Sequence, residues 1–165
     1  MKYIIQLIGV VAFVFFVSGI YSKKKKNVLT CQLIANLLYG IQYILLNVIT
    51  AGILNFVTVL RCFTYYKYEE KRKKIPINIF FTFAFIIIII SITTINGWLS
   101  IIPMIINIVY SYATWQNSRK TLVACFLVCG IIWFFYNLYV GAYAMVLGNI
   151  VEVSSSIIVL KSMKK

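Results

Sequence analysis

Apolar residues fall into seven blocks of helix length, separated by short polar or basic breaks. Crossing the hydrocarbon takes about 20 helical residues, with a range of roughly 17 to 25. On that measure Tyr3–Tyr21, Val28–Leu46, Val48–Tyr66, Ile77–Ile95, Trp98–Thr114, Leu122–Leu138 and Ala142–Leu160 are predicted transmembrane helices. The break between the second and third is marked by Asn47, Thr50 and Gly52, with no charge. The fourth block, FFTFAFIIIIISI, is apolar all round, as expected of a lipid-exposed linker that adds nothing to a site.

The charges order the breaks. Lys23–Lys26, the Tyr68–Lys74 stretch, Arg119-Lys120 and the Lys161, Lys164 and Lys165 tail alternate with uncharged loops around Asn47, Asn96 and Tyr139. Basic loops stay in the cytoplasm, so the pattern predicts an odd number of spans, an outside amino terminus and a cytoplasmic carboxyl terminus. The lysine block directly after the first apolar run makes that run a span rather than a cleaved leader. Trp98 and Trp115 fall at predicted interfaces, where amphipathic rings collect.

Composition agrees. Of 165 residues, 62% are hydrophobic and only three are acidic, which is more apolar surface than one soluble core buries. A net charge of +13 would suggest nucleic acid in a soluble protein. Here the cations sit in clusters between apolar runs, so the expected partners are anionic lipid headgroups and no nucleic acid. There is no His, and Cys31, Cys62, Cys125 and Cys129 all lie in apolar stretches, which leaves no metal or disulfide framework and no expected cofactor. Cys125 and Cys129 share a helix face, but a lone thiol pair is not a ligand set. With no His and a single acid inside a span, the chain lacks acid/base or nucleophile partners and is not expected to be an enzyme.

Residues 8–67 can be laid on residues 102–161 without gaps. Lys25-Lys26 then meets Arg119-Lys120, Cys31 meets Cys125, Tyr39 meets Trp133, Asn55 meets Asn149 and Lys67 meets Lys161. The offset spans four helices, an even number of crossings, so both copies point the same way. The expected architecture is an all-α membrane protein with a parallel repeat of three, one and three helices and a pseudo-twofold axis along the membrane normal. Its divisions are residues 1–67, a loop and linker helix at 68–97, and residues 98–165.

That plan resembles the SWEET and PQ-loop superfamily of small sugar facilitators. More closely, QLIGVVAF near the start, the Ser-Lys-Lys-Lys block, GILNFVTVLR ending at Arg61 and WFFYNLYVGAYAMVLGNIVEVSSSI near the end resemble the bacterial inner membrane proteins of the YgjV family. The SWEET resemblance implies that Asn55 and Asn149, in the third and seventh helices, face a central solute site. It also implies a Pro-Gln pair in the first helix of each repeat. Here Ile102-Pro103-Met104 keeps only the proline and Ile8-Gly9-Val10 keeps neither, so the hinges are altered at Pro103 and Gly9.

Polar groups at membrane depth are costly and usually face the protein interior or a watery cavity. The third helix places Asn55, Thr58 and Cys62 on one face, with Arg61 beside them; the seventh places Asn149, Glu152 and Ser156 at the same spacings. These stripes read as two walls of one cavity, or as interhelical glue. Tyr39, Tyr43, Trp133 and Tyr136 are rings that either stack on a solute or pack. Gln32, Asn36, Gln42 and Asn137 are expected only at helix contacts. Glu152 must be neutral or paired at such depth, and in the repeat frame Arg61 is the candidate partner, forming a gate at the cytoplasmic end. The functional expectation is a carrier of a small polar solute, with sugars in view, working by alternating access. The alternative is a non-transporting assembly or partner-binding protein. Either leaves room for a homo-oligomer.

Overall fold

The computed structural model describes residues 2–94, 97–116 and 118–163. Among them are seven α-helices: α1 (Lys2–Tyr21), α2 (Lys25–Leu45), α3 (Ile49–Glu70), α4 (Ile77–Thr93), α5 (Ile101–Trp115), α6 (Arg119–Tyr139) and α7 (Tyr143–Ser162). A short 3-10 turn, Trp98–Ser100, leads into α5. Six spans have the length and hydropathy to cross a membrane, the one at α5 only together with its 3-10 turn, as Trp98–Trp115. The seventh, α4, has 17 residues, about 26 Å of helix against a hydrocarbon core of about 30 Å. The expected end of the fourth span at Ile95, the Asn96 loop and the Lys164-Lys165 tail lie outside the described residues.

Packing runs as a ring. Helix α2 lies against both α1 and α3, α6 against both α5 and α7, and the circuit closes through α1 with α7 and α3 with α5. Helix α4 packs outside the ring against α3 and α5. Its Ile87 is fully buried while Phe81 and Phe85 are exposed, as a helix lying along the outside requires. The outer face of the ring is apolar too: Leu60 on α3, Phe135 on α6 and Leu147 on α7 all project outward. Such a belt cannot face water and needs lipid around it.

The turn after α2 shows how a polar break ends a helix. Asn47 adopts φ 59°, and Val48 N–H reaches back to the Tyr43 carbonyl at 2.9 Å. Asn tolerates the left-handed region better than other side-chain-bearing residues. The turn after α6 repeats it, with Gly141 at φ 76° and Ala142 N–H on the Asn137 carbonyl at 2.9 Å.

The basic segments gather at one end of the ring. Lys26 pairs with Glu70 at 3.4 Å, joining the start of α2 to the end of α3, and Lys67 pairs with the same carboxylate at 3.3 Å. Lys25 donates to the carbonyls of Trp115 and Gln116 at the end of α5, where the helix dipole welcomes a cation. Lys23 and Arg119 border one cleft there, and Lys120 and Lys161 another. Leu46 and Gly141 line a cleft at the other end with Tyr3 and Tyr143.

Candidate functional site

Two apolar clusters close the ring toward its ends. Ile20, Val28, Val123 and Phe126 pack at the basic end, and Tyr43, Ala51, Tyr136, Ala142 and Met145 at the other. Between them lies a cavity of about 50 Å³, room for a few waters at about 10–15 Å³ each. Its polar lining is Asn36, Asn55, Asn107, Asn137, Asn149 and Glu152, and its aromatic lining is Phe16, Tyr39, Tyr43, Tyr110 and Trp133. Six apolar helices thus enclose six amide and carboxyl side chains in one place, although each is costly to bury.

Helix α7 supplies the acid. Glu152 is 3% exposed and lies against Gly130 of α6, where a Cβ would come within 3.0 Å of its carboxyl carbon. Its carboxyl accepts from Asn149 Nδ2 and from the Tyr110 hydroxyl, each at 3.0 Å. Asn149 in turn accepts from Asn137 Nδ2 at 2.9 Å, and Asn137 accepts from the Tyr43 hydroxyl. One chain of donors therefore runs from Tyr43 through two amides to Glu152, and a second donor reaches it from α5. Hydrogen bonds aligned in one direction polarise one another.

The other amides behave differently. Asn36, Asn55 and Asn107 each spend an N–H on the carbonyl one turn back, those of Gln32, Ala51 and Pro103. This leaves the Asn36 and Asn55 side-chain oxygens without a protein donor among the described residues, at the cavity wall. Tyr43 and Trp133 stack with centroids 6.0 Å apart, and Trp133 meets Tyr136 edge-on at 5.1 Å. These contacts fix the Trp133 indole beside the cavity.

Of the residues expected at a site, Asn55, Asn149, Tyr39, Trp133 and Glu152 are brought together. Thr58 is not. Its hydroxyl lies against α5, donating to Asn107 Oδ1 at 2.7 Å and to the Leu54 carbonyl. The expected gate between Arg61 and Glu152 is absent: among the described residues the ion pairs are those of Glu70 with Lys26 and Lys67. Arg61, 1% exposed, donates instead to the Asn107 carbonyl at 3.1 Å and to the Ser111 hydroxyl. The physical reason is adjacency. Helix α3 lies against α5, whose carbonyl and hydroxyl meet the guanidinium before it could cross the ring. Ser156, read as part of the polar stripe, is wholly buried and its hydroxyl lacks a partner among the described residues.

Neither expected hinge breaks a helix. Pro103 sits in the first turn of α5, where its missing N–H would have no intrahelical acceptor in any case. Helix α1 runs unbroken through Gly9, and the glycine admits the Gln42 side chain, whose amide occupies the space a Cβ would fill. Gln42 is fully buried, and its amide oxygen and nitrogen have no hydrogen-bond partner among the described residues.

The spacing of the sequence left Asn107 and Tyr110 unnoticed. Asn107, Ser111 and Thr114 recur at i, i+4 and i+7, a polar face on α5 that the pattern could have disclosed. Tyr110 corresponds to Phe16 at the offset of 94, and both line the cavity.

A ring of apolar helices around a polar, carboxyl-bearing centre is the arrangement of a polytopic membrane protein. The chain belongs to the Imp-YgjV family of bacterial inner membrane proteins, whose model matches residues 3–165. No curated protein matches it, and no solved structure does.

Proposed function

We propose that the protein carries a small polar solute across the bacterial inner membrane by alternating access, binding it in the central cavity between two triple-helix bundles. The observation that carries this reading is the set of amides, one carboxyl and rings enclosed around a single central cavity. Its two halves, α1–α3 and α5–α7, are read as a parallel repeat with α4 as the inverting linker, the SWEET-like plan. The support is local and specific. Asn47 and Gly141, 94 residues apart, both take positive φ in equivalent turns. Tyr43 and Asn137, also 94 apart, hydrogen-bond to each other, as residues beside a pseudo-twofold axis do. Asn55 and Asn149 line one cavity, as do Tyr39 and Trp133.

The apolar clusters at both ends are the two gates of this reading, and the described conformation is the occluded one. In this reading the gathered basic segments face the cytoplasm and the amino terminus lies outside, as the positive-inside rule favours. Uptake by reconstituted proteoliposomes across a panel of sugars, polyols, amines and small acids tests the proposal. Entry of one class, abolished by Asn55→Ala or Asn149→Ala in protein that remains folded, supports it; no entry of any class overturns it.

A further inference from the structure

Among the described residues the cavity holds an acid without a cation. Arg61 and Glu152 are the buried charged side chains among them: Arg61 is engaged by α5, and Glu152 is met by neutral donors. A carboxylate offers about four lone-pair sites, and the two donors here fill half of them. The titratable groups facing it are Tyr110 from α5, Tyr39 and Tyr43 from α2, and Cys129 from α6, while α1 contributes the Phe16 ring. None of these brings a positive charge. The rest of the lining includes the rings of Phe16 and Trp133, Met145, and the amide oxygens of Asn36 and Asn55 that no described side chain donates to. Aromatic faces attract cations, most strongly where water is excluded, and they offer nothing to an anion. A neutral solute would leave the acid to be balanced by a proton alone.

From this we propose that the cavity takes a small organic ammonium ion in exchange for one proton, with Glu152 holding one or the other. The inference rests on the carrier reading of the cavity and names its substrate class. A buried site that keeps a constant charge is far cheaper to carry through hydrocarbon than one whose charge changes. On binding, the Glu152 carboxyl O–H breaks, its proton leaves to water on the side to which the site is open, and the ammonium ion takes its place. On release the carboxyl regains a proton from the other side. One cation moves each way and no charge is left behind.

Tetramethylammonium is the probe, because it cannot cross lipid as a neutral amine or carry a proton itself. Added to purified protein in weakly buffered detergent below the pH at which the carboxyl empties, it releases up to one proton per chain. Glu152→Gln abolishes the release. Tyr39→Leu keeps it but requires about tenfold more probe, since a desolvated ring face contributes about that much to cation affinity. In proteoliposomes holding a pH dye, an inward gradient of the probe makes the interior more alkaline. Proton release without alkalinisation keeps the cation site and overturns the carrier reading. Entry of a neutral solute, unchanged by Glu152→Gln and with no proton release, keeps the carrier and overturns the cation inference. Absence of both overturns both. If Glu152→Gln fails to fold, the Tyr39→Leu shift decides, and an unshifted titration counts against the site.

Discussion

The seam between α3 and α5 and the seam between α7 and α1 occupy corresponding places in the ring, yet different chemistry closes them. On the first, Thr58 and Arg61 of α3 bond to Asn107 and Ser111 of α5, all of them buried. On the second, the Phe13 ring of α1 fills the space over Gly148 of α7, and the Tyr21 hydroxyl reaches that of Ser155 at 3.2 Å. At the offset of 94, Arg61 corresponds to Ser155 and Thr58 to Glu152. On the proposed repeat the two halves divide the chemistry: one holds the buried cation at a seam, the other holds the acid at the cavity. A seam of directional bonds has one good register. A ring over a glycine can slide, so the α1–α7 seam is the one expected to move when the site opens.

The largest effect that can break this comparison is at Arg61. Arg61→Ala leaves a cavity and removes the guanidinium from the Asn107 carbonyl and the Ser111 hydroxyl, lowering stability by about 3 kcal/mol. Ser155→Ala, its counterpart, costs less than about 1 kcal/mol, near the worth of one interhelical hydrogen bond. Thermal unfolding of both variants in detergent measures the difference; equal losses would erase the distinction between the seams. Next is Gly148→Val, whose Cβ would stand 2.9 Å from the Phe13 ring. Overpacking of this kind costs about 2 kcal/mol, and Phe13→Ala in the same chain should recover part of it, as residues in direct contact do.

How much of this was legible in the sequence follows from what each signal depends on. Helix positions and the grouping of basic segments depend on composition along the chain, and the pattern carried them. Asn55 and Asn149 were legible because a buried amide is costly wherever the helix points. The partner of Arg61 was not, because it depends on which helix lies beside α3 and how both are rotated, and the repeat frame is silent on rotation. Tyr110 was hidden for another reason: among 12 tyrosines, ring position alone distinguishes none. Its hydroxyl matters only because α5 brings it to Glu152. Thr58 failed similarly, since sharing a face with Asn55 did not say which neighbour that face met.

A smaller effect sharpens the same comparison at the turns. Gly141→Ala should cost about 1 kcal/mol, because a Cβ at φ 76° is strained. Asn47→Gly relieves a milder strain in the equivalent turn and should change stability by less than about 0.5 kcal/mol. Melting temperatures of the two variants, measured side by side, check both values.

The central claim is that the cavity around Asn149 is a path and not a sealed core. The direct measurement is the reactivity of Asn149→Cys, in protein whose four native cysteines are replaced by alanine, toward an impermeant thiol reagent applied to each side of oriented vesicles. Alternating access predicts slow labelling from both sides, with the transported solute protecting the thiol. A folded protein in which this thiol reacts from neither side, while Tyr143→Cys at the start of α7 labels normally, would contradict the account.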